Sequence, residues 1–205
     1  MIIVALRNFI CFIGLCVILP FLALASFLIL IEDGIPLFFK QSRLGLNQKK
    51  FTIYKIRTLK KNAPQVGTHE IDEHFKLRCG KIIRSLKLDE FPQLINVMRG
   101  DLNLIGPRPG LISQTELEKV RVIDGIYNTK PGITGLAQVL GYDMSNPETL
   151  TEVDKLYIEN KTLILNSIIF LATFFRFPRN HLSSRFKIIN FKDTNKDHSN
   201  AKKTI

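Results

Sequence analysis

The 205-residue sequence has only three cysteines, which excludes a multi-disulfide framework. Cys11 and Cys16 lie in an apolar N-terminal run, while Cys79 stands alone, and no pair has the spacing of zinc ligands. The three thiols are therefore interpreted as packing residues in a reducing compartment. No internal repeat is visible, and the length suits one domain with its own hydrophobic core.

Acidic residues are also scarce, with 18 Asp and Glu against 29 Lys and Arg. The formal net charge is +11 and the pI is near 9.7. This imbalance favours an anionic partner, which could be a nucleic acid, a phosphorylated substrate or an acidic lipid surface.

Charge is absent altogether from Phe9 to Ile31, a run longer than the roughly 18 to 20 residues needed to span a bilayer. The run is too long for a signal-peptide core, and no clean cleavage site follows it. Pro20 divides it into halves of about 16 Å each, half of a hydrocarbon core roughly 30 Å thick. Either a kinked helix crosses the membrane, or a bent helix re-enters the same face. Basic residues on both flanks, among them Arg7 and Lys40, favour re-entry.

The most informative segment runs from Ile82 to Gly110, where Asp89 and Glu90 precede a helical pattern that ends at Gly100. Pro92 suits the first turn of that helix. Asp89 would then lie at or beside the N-cap, where the helix dipole favours its ionised form. An ordinary N-cap aspartate is the alternative. The apolar positions have the spacing i, i+3, i+4 and i+7: Phe91, Leu94, Ile95 and Met98.

The segment Gly106-Pro107-Arg108-Pro109-Gly110 holds one arginine between two prolines. The prolines fix φ on both sides, so the guanidinium is presented at low entropic cost and suits a phosphate. Arg84 and Lys87 add positive charge just before the carboxylates. These residues predict a site for a phosphorylated substrate with a divalent metal, although the segment could be a plain turn.

Upstream, Leu37–Gly45 and Phe51–Thr58 are predicted as short strands around a turn at residues 46–48. The alternation within the second strand places Lys55 and Arg57 on one face. A solvated strand face is the alternative interpretation of this pair.

Further helices are predicted in the rest of the chain. A helix over Phe75–Leu86 would have a basic side and an apolar stripe that includes Ile82 and Leu86. A helix over Ile112–Ile126 would point Ile123 inward and Arg121 outward. Another would start at Asn146-Pro147-Glu148, with Asp154 solvated.

The C-terminal part contains a second uncharged run, Thr162–Phe175, which is too short to span a membrane. It is predicted as a buried or interfacial helix, anchored to lipid head groups by the basic residues that follow it. Residues 191–205 are expected to be disordered. His69 and His74 flank three acids but lack a recognised ligand spacing, so a solvated loop is favoured over a metal site there.

Four segments in a fixed order strongly resemble the bacterial sugar transferase family, the monotopic phosphoglycosyl transferases. They are Phe51–Thr58, Ser85–Val97, Gly106–Pro109 and Lys130–Val139. The resemblance implies an α+β fold with a re-entrant membrane helix over residues 1–33. A mostly helical catalytic domain over residues 34–190 would follow on the cytoplasmic face of the bacterial inner membrane, with a short β-hairpin and interfacial amphipathic helices. Relatives often carry serine where this chain has Leu19, before the break proline.

The resemblance also implies a reaction: transfer of a sugar 1-phosphate from a UDP-sugar to undecaprenyl phosphate, with release of UMP. Asp89 and Glu90 would be the catalytic residues and would bind Mg²⁺, with Asp89 as the nucleophile. Glu90 would either orient the metal or assist proton movement from the incoming phosphate. The substrate phosphates would contact Lys55, Arg84 and Arg108, with Arg57 and Gln138 as further candidates for substrate binding.

The sugar and the oligomer are open. Gly141–Ser145 resembles a segment of relatives that handle N-acetylated 6-deoxyhexoses. A homodimer is compatible with the sequence, and the transferase interpretation needs no nucleic acid. Two other functions compete with it: a membrane-tethered basic protein that binds anionic lipid or nucleic acid, and a non-catalytic subunit of a polysaccharide assembly complex.

Overall fold

The computed structural model describes residues 2–64 and 71–186. Over these residues the fold is α+β and mostly helical, as predicted, with two small sheets. The elements, in chain order, are α1 (Ile2–Asp33), β1 (Phe38–Leu44), β2 (Lys50–Ile56), α2 (Arg78–Ser85), α3 (Leu94–Arg99), β3 (Asn103–Ile105), α4 (Thr115–Ile123), β4 (Gly132–Thr134), α5 (Leu136–Leu140), α6 (Pro147–Glu159), α7 (Leu163–Phe174) and α8 (Arg176–Phe186).

Helix α1 is apolar and mostly exposed, and by length and composition it could cross a membrane. It continues through Pro20 and ends at Asp33, just before Gly34, whose φ is +66°. Cys11 is buried with Val97 in one core cluster, while Ile29 is buried with Ile56 in another. The domain therefore packs against α1 on both sides of its proline. Re-entry stays a prediction.

Strands β1 and β2 form the predicted antiparallel hairpin, with Phe38 opposite Ile56 and Leu44 opposite Lys50. The connection is a 3₁₀ turn over Leu46–Gln48. Both strand assignments are confirmed to within two residues.

A second sheet pairs β3 with β4 in parallel. The sequence analysis did not predict β4, which is only three residues long. The pairing brings Gly132 against Gly106 so closely that a Cβ on Gly132 would lie 2.1 Å from the Gly106 nitrogen. This contact fixes the segment that carries Arg108.

The single helix predicted after Asp89 is in fact two: a 3₁₀ helix over Leu88–Gln93 and then α3. Lys87 precedes the 3₁₀ helix with φ +59°, and Gln93 precedes α3, so Asp89 is the cap residue of neither. It lies instead in the first turn of the 3₁₀ helix. The predicted stop at Gly100 is confirmed by its φ of +86°.

Two helical faces were predicted wrongly. Helix α4 ends at Ile123, which is 85% exposed, whereas Arg121 is only 1% exposed, because it pairs with the equally buried Asp154 of α6. Helix α2 is shorter than predicted and leaves Ile82 and Leu86 exposed.

The remaining predictions had mixed outcomes. Asn146 caps α6 by accepting a hydrogen bond from the Thr149 amide, as expected for its start. The uncharged run forms α7, which buries Leu165 and Ile169. His74 is exposed beside Asp72, while His69 and the predicted disordered tail lie outside the described residues.

Candidate active site

A cavity of about 660 Å³ lies between the hairpin, the 3₁₀ helix and the Arg108 segment. Every predicted site residue except Gln138 lines it. Those residues are Lys55, Arg57, Arg84, Asp89, Glu90 and Arg108.

Asp89 lies in the wall of this cavity and is 7% exposed. Burial raises the pKa of its carboxyl and the neighbouring Glu90 raises it further, whereas Lys55 and Arg84 oppose the shift. The sequence predicted that the helix dipole would favour the ionised form. The desolvation that accompanies burial outweighs that effect. A positive charge placed beside Asp89 would therefore stabilise its ionised form.

Glu90 is the centre of an ion-pair cluster. Its Oε1 lies 3.1 Å from Lys55 Nζ and 3.7 Å from Arg108 Nη1. Burial alone would raise its pKa, but Lys55, Arg108 and Lys87 together lower the pKa to about 2. Glu90 is therefore ionised at neutral pH and holds two cations toward the cavity.

The cavity carries more positive than negative charge. Burial lowers the pKa of Lys55 and of Arg84, while the nearby carboxylates oppose both shifts. Arg84 is oriented by a 2.7 Å hydrogen bond from its Nε to Thr58 Oγ1. An excess of confined cations over carboxylates suits a polyanionic ligand such as a diphosphate.

The backbone around Arg108 is held at four successive carbonyl oxygens. The Pro107 oxygen accepts from the Gly132 amide at 2.9 Å, and the Gly110 oxygen accepts from the Leu44 amide at 3.1 Å. Between them, two buried guanidinium groups donate, Arg121 Nη1 to the Arg108 oxygen at 2.7 Å and Arg43 Nη1 to the Pro109 oxygen at 3.1 Å. The segment is thus fixed from both sides, which a plain turn would not require.

Sequence reasoning missed Arg43 and Arg121 as supports for the site. Neither residue belongs to a sequence motif, because each donates a hydrogen bond to the main-chain oxygen of a residue that is distant in sequence. Gln93 was missed as well: it is 3% exposed, and its Nε2 has no hydrogen-bond partner among the described residues. It lines a small cavity beside Lys55 and Arg108.

Two predicted substrate-binding residues make other contacts. Arg57 lines the cavity, yet it forms an ion pair with Asp33 and donates to the Gly34 oxygen at 2.6 Å. It thereby ties the end of α1 to the hairpin. Gln138 lies away from the cavity, where its Nε2 donates to the Ile133 oxygen at 3.1 Å.

The donor set fits Mg²⁺ better than a metal held by protein ligands alone. Among the described residues, no group of three or more His, Cys, Asp or Glu could hold a metal ion. Magnesium is commonly bound by one or two carboxylates together with substrate phosphates. Asp89 suits this role because burial disfavours its lone charge, whereas Glu90 is already engaged by Lys55.

Comparison with known proteins agrees with the family resemblance found in the sequence. The family model described as bacterial sugar transferase matches residues 3–180. The chain is 40% identical over 143 residues to the uncharacterized sugar transferase EpsL of Bacillus subtilis (strain 168). This aligned region covers 70% of each chain.

Two other relatives have names that state a reaction. The UDP-glucose:undecaprenyl-phosphate glucose-1-phosphate transferase of Caulobacter vibrioides is 39% identical over 60% of this chain and 47% of its own length. The UDP-N-acetylgalactosamine-undecaprenyl-phosphate N-acetylgalactosaminephosphotransferase of Aeromonas hydrophila is 35% identical over 75% of this chain and 38% of its own length. The chain thus spans less than half of these two relatives.

Proposed function

The chain belongs to the bacterial sugar transferase family, and from this membership we propose that it is a phosphoglycosyl transferase that moves a sugar 1-phosphate from a UDP-sugar to undecaprenyl phosphate. Two relatives are named for this reaction with different sugars, glucose and N-acetylgalactosamine. Similarity to them therefore does not identify the sugar that this chain uses. An N-acetylated 6-deoxyhexose is the candidate indicated by Gly141–Ser145. The product would serve polysaccharide or other glycan assembly.

One observation carries this proposal: Asp89 and Glu90 share a cavity with Lys55, Arg84 and Arg108. In the first step, an Asp89 oxygen attacks the sugar-proximal phosphorus, and the bond to the UMP oxygen breaks. UMP leaves with the electron pair, and the sugar phosphate remains on Asp89 as a mixed anhydride. In the second step, a phosphate oxygen of undecaprenyl phosphate attacks the same phosphorus and releases the Asp89 carboxylate.

The cations would stabilise the charge that develops on the phosphates. Arg108 and Lys55 are held in place by Glu90, so they need little reorganisation when the substrate binds. Mg²⁺, bound at Asp89 with assistance from Glu90, would supply further charge neutralisation for the diphosphate. Glu90 acts in this scheme as the residue that orients the cations.

The long apolar helix suits a lipid acceptor. The domain packs against α1 from Cys11 to Ile29, which corresponds to about 27 Å of helix. If α1 crossed the bilayer, the parts of the domain that pack against it on both sides of Pro20 would be drawn into the hydrocarbon core. This packing supports the proposed re-entrant geometry, with the catalytic domain on the cytoplasmic face.

The test is a panel of UDP-sugars assayed for UMP release in the presence of Mg²⁺, with and without undecaprenyl phosphate. We expect turnover with at least one sugar, and a sugar-phosphate adduct on Asp89 detectable by mass spectrometry when the acceptor is omitted. A lipid-binding protein or a non-catalytic subunit would release no UMP from any sugar. UMP release that persists in Asp89→Ala would refute the assigned nucleophile.

A further inference from the structure

A second, smaller groove of about 80 Å³ lies beside the active-site cavity. Its walls come from the 3₁₀ helix, α3, β3, β4 and α7, and they expose only apolar atoms. We refer to it as the Phe170 groove, after one of the two α7 side chains that form its outer wall. Its principal residues are Phe91, Leu94, Leu104, Ile133, Phe170 and Phe174.

The Phe170 groove meets the active-site cavity at two residues, Lys87 and Glu90, which line both. Lys87 is exposed, and it lies in the wall that the groove and the cavity share, together with Glu90. A ligand could therefore place an anionic end among the site cations and an apolar end in the groove.

The groove also lies next to the surfaces expected to meet lipid. Leu94 packs against α1, where its Cδ1 would lie 3.6 Å from a Cβ on Gly14. On the opposite side, Phe170 and Phe174 are 48% and 49% exposed, and their rings stack edge to face at 5.6 Å. An exposed aromatic pair on an uncharged helix is suited to contact hydrocarbon.

The chemistry of the walls distinguishes between ligands. A nucleobase in the groove would leave its donors and acceptors unpaired, which is costly in an apolar site. The hydroxyl groups nearby are already paired, since Thr134 Oγ1 and Thr173 Oγ1 lie 3.0 Å apart. A hydrocarbon chain has no such cost. The volume equals that of only about three molecules of liquid water, so the groove holds a short segment and not a whole chain.

Building on the proposed function, we propose that the Phe170 groove seats the phosphate-proximal isoprenoid segment of the acceptor lipid, with Lys87 at its phosphate. The rest of the chain stays in the bilayer. This arrangement brings the acceptor phosphate to Glu90 and Asp89 from the lipid side, while the nucleotide sugar occupies the larger cavity.

The test measures binding directly, by native mass spectrometry of the full chain in detergent titrated with undecaprenyl phosphate. We expect Phe170→Ala/Phe174→Ala to raise the Kd by about tenfold or more, because it removes two aromatic contacts with the lipid. The matched control is Phe175→Ala/Phe177→Ala. It removes two phenylalanines that are equally or more exposed at the same end of the chain but lie outside the groove. The control should change the Kd less than twofold.

Two comparison ligands separate the parts of the contact. Undecaprenol lacks the phosphate. We therefore expect Lys87→Asn to weaken the binding of undecaprenyl phosphate and to leave the binding of undecaprenol unchanged. Asparagine tolerates the positive φ of Lys87, so the backbone is not disturbed. Hexadecyl phosphate is saturated and unbranched, so the unaltered protein should bind it more weakly than undecaprenyl phosphate. The Phe170→Ala/Phe174→Ala variant should not show this difference between the two lipids.

The outcomes are distinct. Equal Kd values for the groove variant and the unaltered protein, or equal losses in the groove and control variants, would overturn the assignment. Equal binding of hexadecyl phosphate and undecaprenyl phosphate to the unaltered protein would indicate a phospholipid acyl chain as the occupant and would also overturn it. Failure of the proposed transferase function would appear separately, as absence of UMP release from every UDP-sugar by the unaltered protein.

Discussion

Arg121 and Asp154 form an ion pair inside the domain, with Arg121 Nη2 2.5 Å from Asp154 Oδ2 and both side chains 2% exposed. Burial raises the pKa of Asp154 to about 6, although the charge of Arg121 opposes the shift. The carboxylate is therefore ionised at neutral pH. Because Arg121 also donates to the Arg108 carbonyl, this pair links the α4–α6 interface to the position of the Arg108 backbone.

Removing one partner of this pair should be costly. We expect Asp154→Ala to lower the free energy of unfolding by about 3–5 kcal/mol, because it leaves a buried guanidinium without its counter-charge. Chemical denaturation in detergent measures this change. The control is Lys155→Ala, which breaks an exposed ion pair between α6 and Asp124 at the end of α4 and should cost about 1 kcal/mol or less. Similar losses in both variants would contradict the role of the buried pair.

Asp89→Asn should separate activity from stability. We expect UMP release to fall by at least about 10³-fold, because the amide is not a nucleophile. Since burial raises the pKa of Asp89, its ionised form destabilises the fold at neutral pH, and the neutral asparagine should unfold at the same or a higher temperature. A variant that is inactive and markedly less stable would show that Asp89 supports the fold.

The close contact between β4 and the Arg108 segment predicts a severe effect at Gly132. Gly132→Ala would place a Cβ 2.1 Å from the Gly106 nitrogen, so the two backbones must separate. We expect a loss of about 1–3 kcal/mol or more in stability and a higher KM for the UDP-sugar. In Gly100→Asn, the comparison variant, the new Cβ meets no atom closer than Lys130 Nζ at 3.9 Å, at a φ that asparagine tolerates. Normal kinetics in Gly132→Ala would refute the importance of this contact.

Thiol labelling can test whether Glu32 of α1 lies beside Cys79 of α2. Burial and the Glu32 carboxylate raise the pKa of Cys79 to about 12, so its thiol stays protonated well above neutral pH. Because the thiolate is the reactive form, iodoacetamide should label Cys79 slowly even at pH 9. Glu32→Gln removes the charge and should speed labelling at that pH, as measured by peptide mass spectrometry. Equal rates would mean that Glu32 does not lie beside the thiol in solution.

Re-entry predicts that both ends of α1 face the same side of the membrane. Val4 and Ile35 are 51% and 69% exposed, so cysteine should be tolerated at either position. In sealed inside-out vesicles, a membrane-impermeant maleimide should label Val4→Cys and Ile35→Cys to similar extents. Labelling of Ile35→Cys alone, with Val4→Cys reacting only after detergent is added, would identify a helix that crosses the bilayer.

The features that could be predicted from the sequence are local ones. The hairpin follows from alternation in Phe51–Thr58, and the long apolar helix α1 follows from the uncharged run before Glu32. Asp89 was predicted to lie near cations because those cations are close to it in sequence or were implied by the family resemblance, and it does share one cavity with them. These signals need no knowledge of how distant segments meet.

The features that could not be predicted depend on distant contacts. A charged residue on a short helix is normally solvated, so Arg121 and Asp154 were assigned to the surface, and only tertiary pairing reverses that expectation. Strand β4 is three residues long and forms because Gly132 and Gly106 allow close approach. The start of the 3₁₀ helix likewise follows Lys87, which adopts a positive φ that its residue type does not favour.

Lys87 and Glu90 form the common wall between the larger cavity and the apolar groove. A donor dissolved in the cytosol and an acceptor dissolved in the bilayer would thus approach one phosphorus atom from different solvents, and neither would have to enter the other's medium. The two products could likewise depart by separate exits, UMP into water and the glycolipid sideways into the membrane.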